Sequence, residues 1–403
     1  MDKQAAKRRR EEDGSILSMD RISELPQSIL HQILSFLSRR EAIQTCVLSK
    51  SWRYLGSTRP NFEFRERCLN ADKQTFLLSV MDKILHRYHD QKISVQKFIV
   101  EIPMVNSESI SFLEKWIPLV LLNMGVTTFS LKIFWGYRPH IALPTVVYKA
   151  EFLKELNLAR CKLSQINPLD QTFEKIMSSC PLIEYVHLDG CEGLETVKVN
   201  KAHNLKGFYF NGYYLMSKKE DGLSIEIDAP TIESMSILCC PNWFHHHKNF
   251  PYLKCLHLDY VPLSTKSFDS FSCNYPSLEE LSLQYCHGFE EFQLSSRSIK
   301  HLAIWVNRSI KAAIGATNIL YFEFRSDFLP SITFTTTSSE WKSDIHLPNR
   351  SDIHIDASSW FPKLNELLKA LSHSEISLNI PLLVVPDTTY GGVCKTVVVE
   401  KLR

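Results

Sequence analysis

MDRISELPQSILHQILSFLSRREAIQTCVLSKSWRYL, residues Met19–Leu55, is the stretch that decides how the rest of the chain is read. After Leu25-Pro26 the apolar residues Ile29, Leu30, Ile33, Leu34 and Leu37 fall at i, i+1, i+4, i+5 and i+8, one stripe along an α-helix. Pro26 suits the helix start, where its missing N–H would have had no partner and its φ is already set. A second apolar cluster follows at Ala42, Ile43, Cys46, Val47 and Leu48, and Ser49-Lys50-Ser51 opens a third short helix carrying Trp52 and Leu55. A fold below ~40 residues usually needs metals, disulfides or a partner to complete its core. So much apolar surface in so short a segment predicts a docking module covered by another chain. The bland alternative is a helical hairpin that packs on its own chain.

The Asp20-Arg-Ile-Ser-x-Leu25-Pro26 entry, the Ile33-Leu34-x-Phe36-Leu37 helix, Ala42 and the Val47-Leu48-Ser49-x-x-Trp52-Arg53-x-Leu55 ending resemble the F-box, in the plant type joined to leucine-rich repeats. The resemblance covers roughly the first 60 residues and implies binding to the Skp-type adaptor, and through it the cullin, of a ubiquitin ligase. Carried over, it implies that Leu25, Pro26, Ile29, Leu30, Ile33, Leu34, Val47, Leu48 and Trp52 supply the adaptor contact or its immediate support.

The 403 residues suffice for a large core and for more than one domain. A net charge of +2 lacks the clustered basic face of a nucleic-acid binder. No apolar run approaches the ~18–20 residues that span a bilayer, so no membrane partner is expected. The charged N-terminus predicts no secretory signal, and the expected place of work is the nucleus, the cytoplasm or both. Residues 1–18 form a charge block (Lys7-Arg8-Arg9-Arg10, then Glu11, Glu12 and Asp13) expected to be a disordered tail, with a nuclear import signal as the functional reading of its basic half. Glycine is scarce, and phosphate-cradling, dinucleotide and hydrolase motifs are absent from the sequence, so neither a cofactor nor catalysis is expected.

After the F-box-like segment (19–60), Phe76, Leu77, Val80, Met81, Ile84 and Leu85 trace a connector helix within 61–92. From about Ile93 a pattern apolar-x-x-apolar-x-apolar recurs at Val95, Val126, Leu153, Ile183, Leu205, Ile232, Leu253, Leu278, Ile299 and Ile319, with starts 20 to 31 residues apart. Two features raise it above chance. Cys161, Cys191, Cys240, Cys286 and Asn307 lie eight residues after their starts, and a second triplet follows Cys-x-Gly at Leu194-Val197-Val199 and Phe289-Phe292-Leu294. The region resembles the divergent leucine-rich repeats that accompany plant F-boxes, here over residues 93–385, and Cys or Asn fills the site where the chain leaves the sheet. Each triplet predicts a short strand in a parallel sheet, while Thr172–Ser178 and Lys266–Phe271 predict helices on the opposite face. Ser359–Leu371 predicts a last helix and Glu375–Ile380 a last strand, followed by a short tail (386–403) with no room for the full FBD module of many relatives.

The expected fold class is therefore α/β: a three-helix F-box followed by a solenoid with a parallel sheet. Outward strand positions nominate His187, Asp189, Tyr209, Asn211, His257, Asp259, Gln284, Trp305, Glu323 and Arg325 for contact with an unknown target protein. Cys239-Cys240 with His245-His246-His247 has metal-ligand types, but Cys240 is claimed by the repeat, so a loop is favoured over zinc. Asn307-Arg-Ser and Asn349-Arg-Ser match a glycosylation acceptor that an intracellular chain would not use, and Thr333–Ser339 reads as a loop or an edge strand. The leading functional expectation is a non-catalytic substrate receptor of a ubiquitin ligase; the alternative is a repeat scaffold that binds a ligand or protein with no role in turnover.

Overall fold

The computed structural model describes residue 22, residues 25–382 apart from 38, 46, 66–70, 104–105, 135–140, 164–171, 195, 200–201, 214–222, 245–248, 270, 339 and 348–356, and residues 395–396. The expected 1–18 tail with its basic block, the His245–His247 run, Asn349 and most of the 386–403 tail lie outside the described residues.

Three helices open the chain: α1 Gln27–Phe36, α2 Arg39–Thr45 and α3 Lys50–Ser57. Pro26 stands just outside the first turn, its carbonyl accepting from the Ile29 and Leu30 amides. The Ser49 hydroxyl caps α3 by accepting from the Trp52 amide at 3.2 Å. Leu30, Leu34, Ala42, Trp52 and Leu55 close into a small core of their own, with Ile33 and Leu37 packed against it.

A buried seam joins this module to the rest. Arg59 is buried and donates through Nη2 to the Leu37 carbonyl, and Asn61 Nδ2 donates to the Ser35 carbonyl at 3.2 Å. From the other side the Tyr88 hydroxyl donates to the Arg59 carbonyl at 3.0 Å.

Thirteen strands then form one sheet in which every neighbour is parallel and next in order. They are β1 Asn61–Arg65, β2 Lys97–Ile102, β3 Thr128–Ile133, β4 Glu155–Ala159, β5 Tyr185–Asp189, β6 Gly207–Asn211 and β7 Ser234–Leu238, continuing with β8 Cys255–Asp259, β9 Glu280–Gln284, β10 His301–Val306, β11 Tyr321–Ser326, β12 Lys342–His346 and β13 Glu375–Asn379. The repeated triplets predict β2 to β11, and their apolar residues all point to the buried side. The sheet begins before the first triplet, because β1 opens the segment read as a connector and pairs with β2.

The buried face is backed by helices at the two ends and mainly by strands between. Behind the first strands lie α4 Ala71–Asp90, α5 Ser107–Asn123 and α6 Thr172–Ser179. No repeat position marks α5, which fills the long gap between the Val95 and Val126 repeats and starts from an Asn106–Ser109 capping box. Asp82 of α4 clamps it, accepting from Trp116 Nε1 at 2.7 Å and Lys115 Nζ at 2.8 Å. Further along, the second triplets do form backing strands: Thr196–Val199 pairs with Ser224–Ile227 and that with Asn242–Phe244, and Glu291–Ser296 pairs with Lys311–Ala316 and that with Ser331–Thr335. The last of these makes the Thr333–Ser339 tract an edge strand over its first part. Two single-turn helices, α7 Lys266–Asp269 and α8 Phe271–Asn274, interrupt the strands, and α9 Ala357–Ala370 precedes β13.

The chain leaves the sheet by one device in five repeats. Arg160, Gly190, Cys239, Tyr260 and Tyr285 hold φ between 50° and 58°, the left-handed region. That corner turns the next residue inward, burying Cys161, Cys191, Cys240, Val261 and Cys286. Three of these thiols donate to carbonyls of the preceding repeat: Cys161 to Leu131 at 3.7 Å, Cys191 to Leu158 at 3.5 Å and Cys286 to Leu258 at 3.5 Å. Burial pushes the Cys191 and Cys286 thiols up to about 12, which suits packing rather than redox chemistry. Asn307 is a correction: it is exposed, because β10 runs on without a left-handed corner and Val306 takes the inward place instead.

Candidate functional site

Two surfaces stand out. The first is the outer side of α1–α3. With Leu30, Leu34 and Trp52 turned inward, the same helices leave Leu25 and Ile29 partly exposed, Phe36 80% exposed, Val47 84% and Leu48 63%, with Ile22, Pro26 and Tyr54 also open to solvent. Leu25 lies just before α1, and Val47 and Leu48 lie in the turn between α2 and α3; large apolar side chains so exposed around one small module are a feature of interaction surfaces. Of the residues nominated for adaptor contact, Leu25, Pro26, Ile29, Val47 and Leu48 are on this surface, Leu30, Leu34 and Trp52 support it from the module's core, and Ile33 is intermediate. Phe36 and Tyr54 were not nominated; Phe36 lies off the stripe that marks the buried face.

The second surface is the open face of the sheet. The nominated target-contact residues all project from it in two rows set by strand register. His187, Tyr209, His257 and Glu323 stand in one row, with Ser236, Ser282 and Ala303 between them. Asp189, Asn211, Asp259, Gln284, Trp305 and Arg325 stand in the next, interrupted only by Leu238.

Their contacts are specific. The His187 ring stacks on Tyr209 with centroids 3.9 Å apart and planes within 5°. Burial, with Lys132 adding to it, holds the His187 imidazole down at about 4, so it is neutral near pH 7. Asn211 Nδ2 donates to Asp189 at 3.0 Å, yet burial still raises that carboxyl against the pull of Arg160 and Lys132. Trp305 Nε1 donates to Glu323 at 2.9 Å, and the Arg325 guanidinium lies 5.4 Å from the Trp305 ring centre.

The corner residues beside these rows fall outside the triplet pattern. Tyr260 and Tyr285 stack at 5.1 Å, and Tyr285 meets the edge of Trp305 at 6.4 Å. Together they make an aromatic strip along the margin where the strands end. At the opposite margin, Lys154, Glu184, Lys206, Glu233, Lys254, Glu279 and Lys300 alternate in sign from repeat to repeat, with ion pairs such as Lys206–Glu184 at 2.7 Å and Lys254–Glu233 at 2.8 Å. Exposed pairs of this kind contribute little each, but they favour the in-register stack.

Comparison with known proteins now decides the family. A model of the F-box domain matches residues 22–64. F-box/LRR-repeat protein 25 of Arabidopsis thaliana is 30% identical over 198 residues, covering 47% of this chain and 74% of that protein. The chain belongs to the plant F-box/LRR-repeat family. Another F-box/LRR-repeat protein of the same plant is 30% identical over 211 residues, 48% of this chain and 43% of the relative. An F-box/FBD/LRR-repeat protein is 28% identical over 219 residues, 49% of this chain and 50% of the relative. The chain thus spans about half the length of most of these relatives.

The F-box match takes in α1–α3 and most of β1, and the thirteen-stranded parallel sheet is the repeat-like part of the fold. Among the described residues of this F-box/LRR-repeat chain, no three His, Cys, Asp or Glu side chains are placed to hold a metal ion, and no helix is long and apolar enough to cross a membrane.

Proposed function

We propose that this chain is the substrate-recognition subunit of a Skp–cullin–F-box ubiquitin ligase, a receptor rather than an enzyme. F-box domains in general dock Skp-type adaptors. The observation that carries the reading here is the apolar outer face of α1–α3, where Leu25, Ile29, Phe36, Val47 and Leu48 stay open to solvent although the module's own core is closed beneath them. An adaptor would bury these residues as a few apolar anchors. The repeats would then hold a target protein beside the ubiquitin-charged enzyme, so the chain contributes effective concentration and leaves the chemistry to its partners.

The test is adaptor capture by the Leu25→Ala/Pro26→Ala variant. Both side chains lie outside the small core of Leu30, Leu34, Ala42, Trp52 and Leu55, so the fold should survive the change. Capture should fall by at least about tenfold while the thermal transition of the repeats stays in place. Undiminished capture would sink the adaptor assignment. Capture lost without any change in the lifetime of a bound target would favour a repeat scaffold with no part in turnover.

A further inference from the structure

The open face between β8 and β11 has a chemistry that the receptor reading leaves unspecified. Of its Asp, Glu, Lys and Arg side chains, Asp259, Glu280 and Glu323 are acidic and Arg325 alone is basic. Arg325 is already seated on the Trp305 ring, and Glu323 already accepts from the Trp305 indole. Asp259 differs. Its Oδ1 is buried and has no hydrogen-bond partner, although it lies in the row between Leu238 and Gln284 and directly beside the Tyr260 corner. A carboxylate oxygen left in that condition is costly unless something donates to it.

Beside it the face is hollowed. Ser282 and Ala303 are small, and around them Cys255, His257, Glu280, His301 and Tyr321 rim a cup of about 210 Å³. Beyond the cup, the stacked Tyr260 and Tyr285 lead to Trp305, and Tyr260 is 46% exposed. Aromatic faces beside a carboxylate attract cations twice over, through the ring quadrupole and through charge; among the described residues, Glu280 at the cup accepts only the weak Cys255 thiol donor, at 3.5 Å. The Arg325–Trp305 pair is an internal example of what such a ring accepts.

We propose that this part of the open face binds a basic segment of the target protein, with one Arg or Lys of that segment meeting Asp259 while its aliphatic stem lies on Tyr260 and Tyr285, and a second basic residue reaching Glu280 at the cup, four residues back along the strands. The proposal rests on the receptor reading and names the class of target it implies. An acidic segment is disfavoured, since it would set like charges against Asp259, Glu280 and Glu323.

The test uses the full chain and a random peptide display library as the probe. Enrichment of peptides carrying Arg or Lys is expected, and their affinity should drop by about tenfold on Asp259→Asn/Glu280→Gln, a shape-conserving change. The same peptides should bind Lys206→Ala, at the far margin, as they bind the unaltered chain. Enrichment of acidic or apolar peptides, no enrichment at all, or equal binding by Asp259→Asn/Glu280→Gln would overturn the proposal. So would concentration-dependent self-association abolished by that double variant, which would make a second copy the occupant. Adaptor capture is read on the same samples. If the unaltered chain binds basic peptides but captures no adaptor, the receptor reading fails and the basic-segment surface stands; the opposite pattern removes the surface alone.

Discussion

His187 shows how much one position on an open sheet face is constrained. Its ring is pressed flat on Tyr209 and half-buried, and that burial keeps the proton off until about 4 against an ordinary value of 6.5. The unfolded chain therefore takes up this proton first as pH falls. Stability from the neutral ring is complete above the ordinary histidine value, declines as pH drops below it, and is fully lost once pH passes below the folded value. His187→Phe keeps an aromatic ring over Tyr209 and removes the titration. Denaturant midpoints measured between pH 6.5 and 4 should fall less steeply in the variant than in the unaltered chain, with no difference in slope at alkaline pH. Equal slopes would mean that other groups carry the acid sensitivity. Asp189 works in the opposite sense: burial raises its carboxyl, so protonation relieves rather than adds a cost as the solution becomes acid.

At the scale of elements, the corner that ends each strand is the recurring part. In both Cys-x-Gly motifs the glycine follows the corner by a few residues, with φ of 83° at Gly193 and 93° at Gly288. A methyl group at Gly288 would sit 2.6 Å from the Leu263 carbonyl oxygen, whereas one at Gly125, also at positive φ, would meet nothing within 4 Å. Gly288→Ala should therefore cost more than the ~1–3 kcal/mol of backbone strain alone, and Gly125→Ala no more than that strain. Chemical denaturation of the two variants side by side checks the order; a larger loss at Gly125 would refute it. The corner also explains which parts of the fold could be read from sequence. The two strand positions of a triplet and the inward Cys are an odd number of positions apart (three from Leu283 to Cys286, for instance), so strict alternation must slip once between them. That slip is written in the sequence, and it would have pointed to Tyr260 and Tyr285 as surface residues.

Two strands escaped the pattern for a physical reason. In β1 the repeat's leading apolar place belongs to Arg59, buried there to hold the F-box through the Leu37 carbonyl. In β12 an inward place belongs to Ser343, buried and bonded to Ser374 at 2.7 Å, while Trp341 supplies the apolar bulk. The α5 helix was hidden differently: Ile110, Leu119 and Leu122 spread apolar residues beyond its buried stripe, and Pro118 interrupts it. The outward rows, by contrast, follow from period two alone once the strands are placed, which is why the nominated residues from His187 to Arg325 share one face. Sequence could not separate Leu30, Leu34 and Trp52 from Leu25 and Val47, because an apolar residue reads alike whether its side chain turns into the small core or out to solvent.

At the scale of the whole molecule, the F-box and the repeats are joined by a seam rather than a loose tether. Tyr88, Arg59 and Asn61 tie α4, the start of the sheet and α1 together, and burial pushes the Tyr88 hydroxyl up to about 12. Tyr88→Phe removes the donor to the Arg59 carbonyl and should cost ~1–3 kcal/mol at that junction. Hydrogen exchange should then quicken in Gln27–Ser57 while β5–β10 keep their protection. Uniform quickening along the chain would instead indicate a general loss of stability. Under the proposed receptor role, a held junction would fix the direction in which the repeats face relative to the adaptor, so the reach to a target lysine would be set by the fold.

The backing of the sheet changes character along its length, and geometry follows from that. A helix is ~10–12 Å across, while neighbouring strands lie ~4.7–4.9 Å apart. Where α4, α5 and α6 back the first strands, the rear layer is wider than the front and the stack must fan open like the staves of a barrel. Where Glu291–Ser296, Lys311–Ala316 and Ser331–Thr335 stand behind β9 to β12, front and rear advance by the same step and the stack runs nearly straight. One continuous surface is thereby expected to have a bowed portion and a flatter portion, and its contour would discriminate among ligands long enough to touch both.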